Sequence, residues 1–511
     1  MLTKDSIKWS IDFIHKHSDG DLFPKIIENN AIVKNIDRFI SLTEGKDLSQ
    51  FSPGACRRFI VPKDEISYRQ ATQLDPQDSI LLTAIIYQYG QGIEDRRLNK
   101  DIVFSYRFIP DAIHGLYSIQ NSWNNFWEEA YRKSFTSKII LYCDIADFYN
   151  QISHHTIENE VISSYFPNQV KEWIKKLLSS TTAGMSRGIP IGPHAMHLLA
   201  EAALIPIDNS ILSQGFDHIR YADDIIIFCD SEQSARIALA SLASILDKQE
   251  RLMLQKHKTK MYHPDEFQTL CKDMIEDRPI SNEEDQILKV IKKYSGGNPY
   301  QIVSYNEISK EDWESITEDI INKIIYEYIN QDEVDFIRLR WFYRRLTQIG
   351  HPGAIDVSLK EISRLGPCFA NICTYLSSIQ SIDEERWKDI GVQLLALLDS
   401  EEVKNNEYFR LSIVSLFTKN KYINHFADLI KKYPTSEPFF RREILLAAYQ
   451  NDAFDWLREL KENYQSMDPW QKIAFIFGSS GFPKDEKKYF ISKLTLTRPY
   501  EETVANWAKN V

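Results

Sequence analysis

Two adjacent carboxylates, Asp223 and Asp224, interrupt the stretch RYADDIIIFCD, which runs from residue 220 to residue 230. The β-branched and aromatic residues on both sides favour strands, and the short polar break between them is typical of a hairpin tip. Adjacent carboxylates repel each other, so a buried tip that holds both is unfavourable unless a cation lies there. The pattern therefore indicates a metal site, with a solvated turn as the alternative, because Asp is common in turns.

A third carboxylate, Asp144, ends the strand-like stretch KIILYCD. Alternation along this stretch places Ile140, Tyr142 and Asp144 on one face of a predicted strand. Two-metal catalysis of phosphoryl transfer needs such an arrangement, in which carboxylates from separate strands bridge two cations about 3.5–4 Å apart. Asp144 and Asp223, 79 residues apart in the chain, are therefore predicted to meet in one metal centre.

The elements that must position these acids lie between about residues 57 and 265. Strand-like pieces (RRFIVP, KIILYCDI and HIRYADDIIIF) alternate there with helical pieces such as NQVKEWIKKLLSS. This alternation predicts a sheet with helices packed on it, and the apolar spacing before residue 60 predicts N-terminal helices.

The second half of the chain has a different pattern. The turn-rich stretch 292–310, KKYSGGNPYQIVSYNEISK, is typical of a linker, and the sequence beyond it is almost purely helical. We therefore predict an α+β fold with two domains: residues 1–285 form the sheet domain with its N-terminal helices, and residues 286–511 form an all-α domain.

Similar phrases recur within the helical half, at Phe336, Phe409 and Phe440. Their separations of 73 and 31 residues are near two and one multiples of a period in the mid-thirties. Helical-hairpin repeats of the HEAT type have periods of about 40 residues, so the spacing favours HEAT-like repeats. An irregular helical bundle is the alternative.

Composition limits the classes of function. The formal net charge is −11 and the pI is about 5.7, whereas proteins that grip long nucleic-acid duplexes usually carry a basic stripe. Any nucleic-acid binding is therefore expected to be local and short. The six cysteines form no CxxC pair, and no apolar run approaches the roughly 20 residues of a membrane span. We expect a cytoplasmic protein without membrane contact.

Together, the motifs resemble those of reverse transcriptases. YADD at residues 221–224 matches the YxDD motif of that family, and Asp144 matches the aspartate of its first palm motif. The resemblance covers about residues 50–265 and implies a fingers and palm fold. It also implies that Asp144, Asp223 and Asp224 are catalytic metal ligands, with Mg²⁺ as the cofactor and Mn²⁺ as an alternative.

Two of the other matching segments would bind the incoming nucleotide. RRFIVPKDEISYRQ (57–70) resembles the fingers segment, whose Lys63 and Arg69 would hold the triphosphate. In SRGIPIGPHAMHLL (186–199), Gly188 and Pro190 precede a helix that would support the nucleotide. The alternative for Lys63 and Arg69 is ordinary surface charge.

Two single residues complete the resemblance. Tyr149, five residues after Asp144, matches the steric-gate aromatic that collides with a ribose 2′-hydroxyl and so selects deoxynucleotides. Lys258, in LQKHKTKMY, matches the lysine that protonates pyrophosphate. The alternatives are a plain core residue for Tyr149 and a solvent-facing cluster for Lys258.

Three departures from the common pattern narrow the resemblance to one branch. Ile191 stands where the family usually has glutamine, no thumb is recognisable after Lys258, and the helical half is acidic. These features resemble the abortive-infection branch of bacterial reverse transcriptases, which is AbiK-like and includes prophage-borne members.

That branch implies a specific activity. Its members polymerise deoxynucleoside triphosphates without a template and prime the strand on a tyrosine of their own chain. Single-stranded DNA then stays covalently attached to the protein, which acts in phage defence as a homo-oligomer, a trimer or a multiple of one. None of the 25 tyrosines precedes Tyr68, and the resemblance carries the priming role to no numbered position. A conventional RNA-templated reverse transcriptase and a catalytically idle polymerase-like scaffold are the alternatives.

Overall fold

The computed structural model describes residues 1–511 except 21, 112–114, 119–121, 276–278, 297–301 and 424. Its strands are β1 Arg57–Pro62, β2 Tyr68–Gln73, β3 Phe108–Asp111, β4 Gly115–Tyr117, β5 Ile139–Asp144, β6 Asp217–Tyr221, β7 Asp224–Cys229 and β8 Lys260–Tyr262.

The α-helices before residue 276 are Lys4–His17, Asn29–Lys34, Ile36–Thr43, Pro76–Tyr89, Gln91–Glu94, Ser122–Ser134, Phe148–Gln151, His154–Ser163, Asn168–Thr181, Met196–Ser213, Glu232–Glu250 and Pro264–Ile275. Those after residue 278 are Asn282–Ser295, Lys310–Ser315, Glu318–Ile329, Phe336–Ile349, Ile355–Lys360, Phe369–Ser378, Glu384–Leu398, Glu401–Lys404, Glu407–Lys419, Phe426–Lys432, Pro438–Gln450, Phe454–Glu459, Pro469–Gly478, Lys484–Ser492 and Pro499–Asn510. The described part of the second half is thus helical without strands, as predicted, and none of the described helices is long and apolar enough to cross a membrane.

A four-stranded antiparallel sheet in the order β6-β7-β5-β8 lies at the centre of the first half. Strand β5 is buried on both faces, because Leu141 and Cys143 point into one hydrophobic core and Ile140 points into another. Helices 196–213 and 232–250 pack on the sheet from the first side, and helices 122–134 and 264–275 pack from the second. The predicted sheet with helices packed on it is present.

A separate antiparallel hairpin, β1–β2, pairs residues 57–62 with residues 68–73. Phe59, Val61 and Ala71 lie on its buried face and belong to the hydrophobic core of the C-terminal helices. The Thr72 amide donates to the Ile191 carbonyl at 2.8 Å, so the hairpin is also joined to the segment before helix 196–213. The hairpin therefore connects the two halves of the chain.

The predicted boundary and the start of the predicted linker lie within one continuous helix. Helix Asn282–Ser295 runs across position 285/286 and through the first four residues of the predicted linker 292–310. Ser281 caps its start, and its apolar residues at helical spacing are buried, so regular helix extends up to Gly296 with its φ of +58°. Gly297 and Pro299 of the predicted linker lie outside the described residues.

The end of the chain packs against its beginning. The Arg442 guanidinium binds the Glu28 carboxylate at 2.6 and 2.7 Å, and both side chains are buried. The Tyr500 hydroxyl likewise donates to Asn29 at 2.7 Å, and the helix that begins at Pro499 shares the core of the N-terminal helices. The division into two domains stays a prediction, but the hydrophobic cores do not follow a boundary at 285/286.

The helices that carry the recurrent phrases pack in succession. Helix 336–349 packs on 369–378, which packs on 407–419, followed by 438–450 and 469–478. A row of neighbouring helices of this kind is compatible with a solenoid. The HEAT-like repeat itself stays a prediction.

Candidate active site

The strand register brings the three predicted carboxylates to one edge of the sheet. In the β5–β7 pair, Asp144 lies directly opposite Asp224, and the Ile145 amide donates to the Asp223 carbonyl at 3.1 Å. In the β6–β7 hairpin, Tyr221 pairs with Asp224, which leaves Ala222 and Asp223 as a two-residue tip. The meeting of Asp144 and Asp223 that the strand pattern predicts is therefore present in the geometry.

The hairpin tip has a strained backbone that groups outside the tip hold in place. Ala222 has a φ of +50°, which is uncommon for a residue with a Cβ atom. Its amide donates to the Ser105 hydroxyl at 2.9 Å, and its carbonyl accepts from Arg220 at 2.9 Å. Both polar groups of the Ala222 backbone are thus fixed, and with them the position of Asp223.

A buried ion network lies directly behind this tip. The fully buried Arg220 binds Asp208 through two bonds of 2.7 Å and Glu201 through two of 3.0 and 3.4 Å. Glu201 also accepts from Arg97 at 2.7 Å and from the Ser105 hydroxyl at 2.6 Å. Burial would raise the pKa of Glu201, but the charges of Arg220 and Arg97 outweigh it and the pKa is lowered. The negative charges of the two acids in this network are balanced by the positive charges of its two arginines.

The acids at the sheet edge are compensated only in part. Burial, followed by the charge of Asp144, raises the pKa of Asp223. Burial and the charge of Asp223 raise the pKa of Asp224 to about 7. The Lys258 ammonium forms an ion pair with Asp144, and the Tyr142 hydroxyl donates to Asp224 at 2.6 Å. Mutual repulsion among clustered carboxylates is relieved when a cation binds between them.

Divalent metal binding at this edge requires one rearrangement. Among the described residues, no three His, Cys, Asp or Glu side chains already form a group that could hold a metal ion. Lys258 occupies a carboxylate oxygen of Asp144, and its side chain is nearly half exposed (45%). The carboxylate oxygens that remain are the donors that Mg²⁺ and Mn²⁺ prefer, so the residues fit such an ion once Lys258 moves.

Hairpin β1–β2 carries two cationic side chains near these acids. Lys63, just after β1, is exposed. Burial and the charge of Asp144 raise the pKa of Asp223, and the charge of Lys63 acts against that rise. Arg69 on β2 is half-buried; burial lowers its pKa, with the nearby charge of Asp223 acting in the opposite direction. Its Nε atom is among the buried polar atoms of the described chain without a hydrogen-bond partner. Arg69 is thus a cation close enough to Asp223 for the two charges to interact, and a guanidinium at such a position suits a phosphate group.

Tyr149 and the 188–190 segment lie together. Tyr149 is in the one-turn helix Phe148–Gln151, and its carbonyl accepts from the Ile189 amide at 2.9 Å. Gly188, with a φ of +91°, donates from its amide to Ile152 at 2.8 Å, and Pro190 is buried. Gly188 suits this position because glycine adopts positive φ without strain. The segment is thus joined through its backbone to the turn that carries Tyr149.

Four residues near the site have no role in the resemblance, although His197 lies within its segment 186–199: Arg97, Ser105, His197 and Glu201. Glu201 had a signal, because it is the one charged residue in the apolar run 198–207, and a charge in such a run requires a buried partner. Ser105 lies in an irregular segment without periodicity. Its contact with Ala222, 117 residues away, has no local signature.

Comparison with known proteins identifies the domain. Residues 85–289 match the family described as "Reverse transcriptase (RNA-dependent DNA polymerase)". This range, which is less than half of the chain, is thus similar to a reverse transcriptase domain, and it lies within a mostly helical structure. Asp144, Asp223 and Asp224 lie inside the matched range, whereas Lys63 and Arg69 lie before it.

Comparisons with solved structures and with curated protein sequences do not extend this assignment. A structure of apo telomerase from Candida tropicalis is similar at a TM-score of 0.34 and 8% sequence identity, over 75% of this chain and 74% of that chain. Similarity at that level supports no conclusion. No curated protein sequence matches the chain.

Proposed function

We propose that this protein is a DNA polymerase of the reverse transcriptase type that acts in phage defence by abortive infection. It joins deoxynucleotides without a template and starts the strand on one of its own tyrosines, so that single-stranded DNA remains covalently attached. The observation that carries the polymerase assignment is the register of β5 and β7, which sets Asp144 opposite Asp224 and beside Asp223 within the reverse transcriptase match.

The chemistry is nucleotidyl transfer. Asp144 and Asp223 would hold Mg²⁺, with Mn²⁺ as a substitute and with Asp224 adding negative charge and a weaker ligand. An ion bound there would stabilise the negative charge that develops as a hydroxyl attacks the α-phosphate. A new phosphorus–oxygen bond forms, the bond to pyrophosphate breaks, and the hydroxyl proton leaves to water. Lys258, released from Asp144, protonates the departing pyrophosphate.

The remaining residues of the site select and orient the substrate. Lys63 and Arg69 bind the triphosphate, as their charge and the unused Arg69 Nε donor favour. Gly188 and Pro190 shape the backbone beneath the nucleotide, and Tyr149 excludes a ribose 2′-hydroxyl. The substrates are therefore deoxynucleoside triphosphates.

Two observations support synthesis without a template. Ile191, where the family usually has glutamine, has no side-chain hydrogen-bonding group, and its carbonyl is used by Thr72. The C-terminal helices also contact the tip of hairpin β1–β2, where Arg340 donates to the Lys63 carbonyl. A helical body packed on this hairpin, rather than a basic thumb, suits a polymerase that does not grip a long duplex. Assembly as a homo-oligomer is part of the same proposal.

The test is an incubation of the purified protein with Mg²⁺ and labelled deoxynucleotides, without template or primer, followed by a denaturing gel. Label should appear above the protein band, collapse with nuclease and be released by protease. Asp223→Asn should give no label. Asp230→Asn, which changes an exposed aspartate just beyond the other end of β7, is the matched control and should label like the wild type.

Two results would overturn the proposal. Label that appears only with added RNA and a separate primer, in a product complementary to that RNA, would establish a conventional RNA-templated reverse transcriptase. That activity is the one the matched family's description names. Phage protection by Asp223→Asn at the wild-type level would instead establish a catalytically idle scaffold.

A further inference from the structure

The steric-gate tyrosine is bonded to a histidine that no sequence motif singles out. His197 lies at the start of helix Met196–Ser213, and its Nδ1 atom is 2.7 Å from the Tyr149 hydroxyl. The two rings meet edge to face, with centroids 6.0 Å apart and planes at 89°. The hydrogen bond therefore fixes the far end of the phenol ring, while the helix 148–151 fixes its near end.

The imidazole ring of His197 is itself held from two sides. The ring of Tyr106 stacks on it with centroids 4.1 Å apart and planes at 6°. The Tyr117 hydroxyl donates to the His194 carbonyl at 2.6 Å and accepts from the Leu198 amide at 3.1 Å. These two hydrogen bonds hold the backbone on both sides of His197. The imidazole is a fixed partner for Tyr149 rather than a mobile side chain.

The Tyr106 ring is also anchored. Its backbone has a φ of +44°, and its carbonyl accepts from Arg97 at 2.9 Å. Arg97 belongs to the buried network around Glu201, which lies four residues after His197 on the same face of the helix. One helix face thus supports both the Tyr149 ring and the hairpin tip that carries Asp223.

Both partners of the hydrogen bond are uncharged near neutral pH. Burial, followed by the charge of His194, lowers the pKa of His197 to about 3. Burial also raises the pKa of Tyr149 well above its ordinary value. The bond joins a neutral imidazole to a protonated phenol.

We propose that His197 is a positioning residue for sugar selection, which it performs by holding the Tyr149 ring in the orientation that excludes a ribose 2′-hydroxyl. The inference rests on the proposed role of Tyr149 as the steric gate. The one-turn helix holds only the backbone end of the Tyr149 side chain, so the orientation of the ring depends on the bond that its hydroxyl makes to His197. Without the bond to His197, the ring samples other rotamers, and ribonucleotides enter the site more often.

The test measures kcat/KM for a deoxynucleotide and for the matching ribonucleotide. His197→Phe keeps a ring to stack on Tyr106 but removes the hydrogen-bonding nitrogen, and the deoxy-to-ribo ratio should fall about three- to tenfold, which corresponds to one neutral hydrogen bond. His197→Asn offers a polar atom near the position of Nδ1 and should restore most of the ratio. His155→Phe, at an exposed histidine, is the control and should leave the ratio unchanged.

Variants of Tyr149 test the role of His197 separately from the proposed role of Tyr149 as the steric gate. Tyr149→Phe loses the same hydrogen bond and should match His197→Phe, and the double variant should be no worse than either single one. If Tyr149→Ala leaves the ratio unchanged, Tyr149 is not the gate, and both claims fail. If Tyr149→Ala lowers the ratio but His197→Phe and Tyr149→Phe do not, the gate stands and the inference about His197 is overturned.

Discussion

Two clusters of acids meet at the hairpin tip, and they differ in how their charge is compensated. Glu201 and Asp208 are bound by the buried Arg220, with short hydrogen bonds that satisfy the carboxylates. Asp223 and Asp224 face Asp144 instead, and their pKa values are raised. The charge of the first cluster is balanced within the chain, whereas that of the second is balanced only in part.

The difference separates a structural role from a chemical one. A buried charge whose partners are all present holds the fold in one arrangement, and its removal leaves the partner charge unpaired. Buried charges left in repulsion are unfavourable for the fold and are typical of sites that bind or transform a ligand. In this protein the first cluster positions the second, because Arg220 and Ser105 both bind Ala222.

Replacing an acid of the uncompensated cluster should have the largest effect. We expect Asp144→Asn to lower nucleotide incorporation on the order of 10³-fold or more, since a lost metal ligand removes several kcal/mol of transition-state stabilisation. The thermal midpoint should change little, because the substitution also removes a repulsive charge. A steady-state incorporation assay beside a thermal melt checks both, and a variant that incorporates normally would contradict the assignment.

The compensated cluster should respond in the opposite way. Glu201→Gln leaves Arg97 and part of Arg220 without their carboxylate, and the free energy of unfolding should fall by about 3–5 kcal/mol. Urea unfolding measures this change. Glu314→Gln, at an exposed ion pair, is the control and should lower the free energy of unfolding by less than about 1 kcal/mol. If Glu201→Gln and Glu314→Gln lowered the free energy of unfolding equally, the buried network would stabilise the fold no more than an exposed ion pair does. The distinction between the two clusters of acids would then be lost.

Replacing Arg69, which lies near the uncompensated acids, should have a smaller effect on activity. We expect Arg69→Ala to raise KM for deoxynucleotides about 10- to 100-fold, because a charge-assisted contact to the triphosphate is lost. Stability should hold or rise slightly, since the Nε atom is buried without a partner. A lower free energy of unfolding with unchanged KM would assign Arg69 to the fold instead.

The link between the clusters should give the smallest change. Ser105→Ala removes the group that accepts from the Ala222 amide, and we expect kcat to fall about tenfold with KM unchanged, because Asp223 is then less well positioned. Ser105→Thr keeps the hydroxyl and should recover activity. If Ser105→Ala lowers only the thermal midpoint, the contact is structural and does not position Asp223.

The sequence predicts the strands that carry the acids, because alternation is a local property. The apolar patterns of 139–144 and 225–228 each indicate a strand with an aspartate at one end, whereas the register that sets Asp144 opposite Asp224 joins segments 80 residues apart. The boundary at 285/286 stays a prediction, although the helical spacing of Ile287 and Ile291 belongs to a helix, Asn282–Ser295, that runs across it.

Contacts between distant segments could not be predicted from the sequence. Arg442 and Glu28 are 414 residues apart, and nothing in either local sequence indicates the other. The same holds for Tyr149 and His197, because a side-chain hydrogen bond between two helices depends on how the helices pack. Long-range packing fixes these pairs, and patterns of period 2 or 3.6 carry no record of it.

The most direct test of the central claim is incorporation of labelled deoxynucleotide against Mg²⁺ concentration, in the wild type, Asp223→Asn and Asp230→Asn. We predict saturable, Mg²⁺-dependent incorporation in the wild type and in Asp230→Asn, and none in Asp223→Asn at any concentration. Wild-type incorporation by Asp223→Asn, or continued synthesis by the wild type in excess chelator, would contradict the claim that these acids form the polymerase centre.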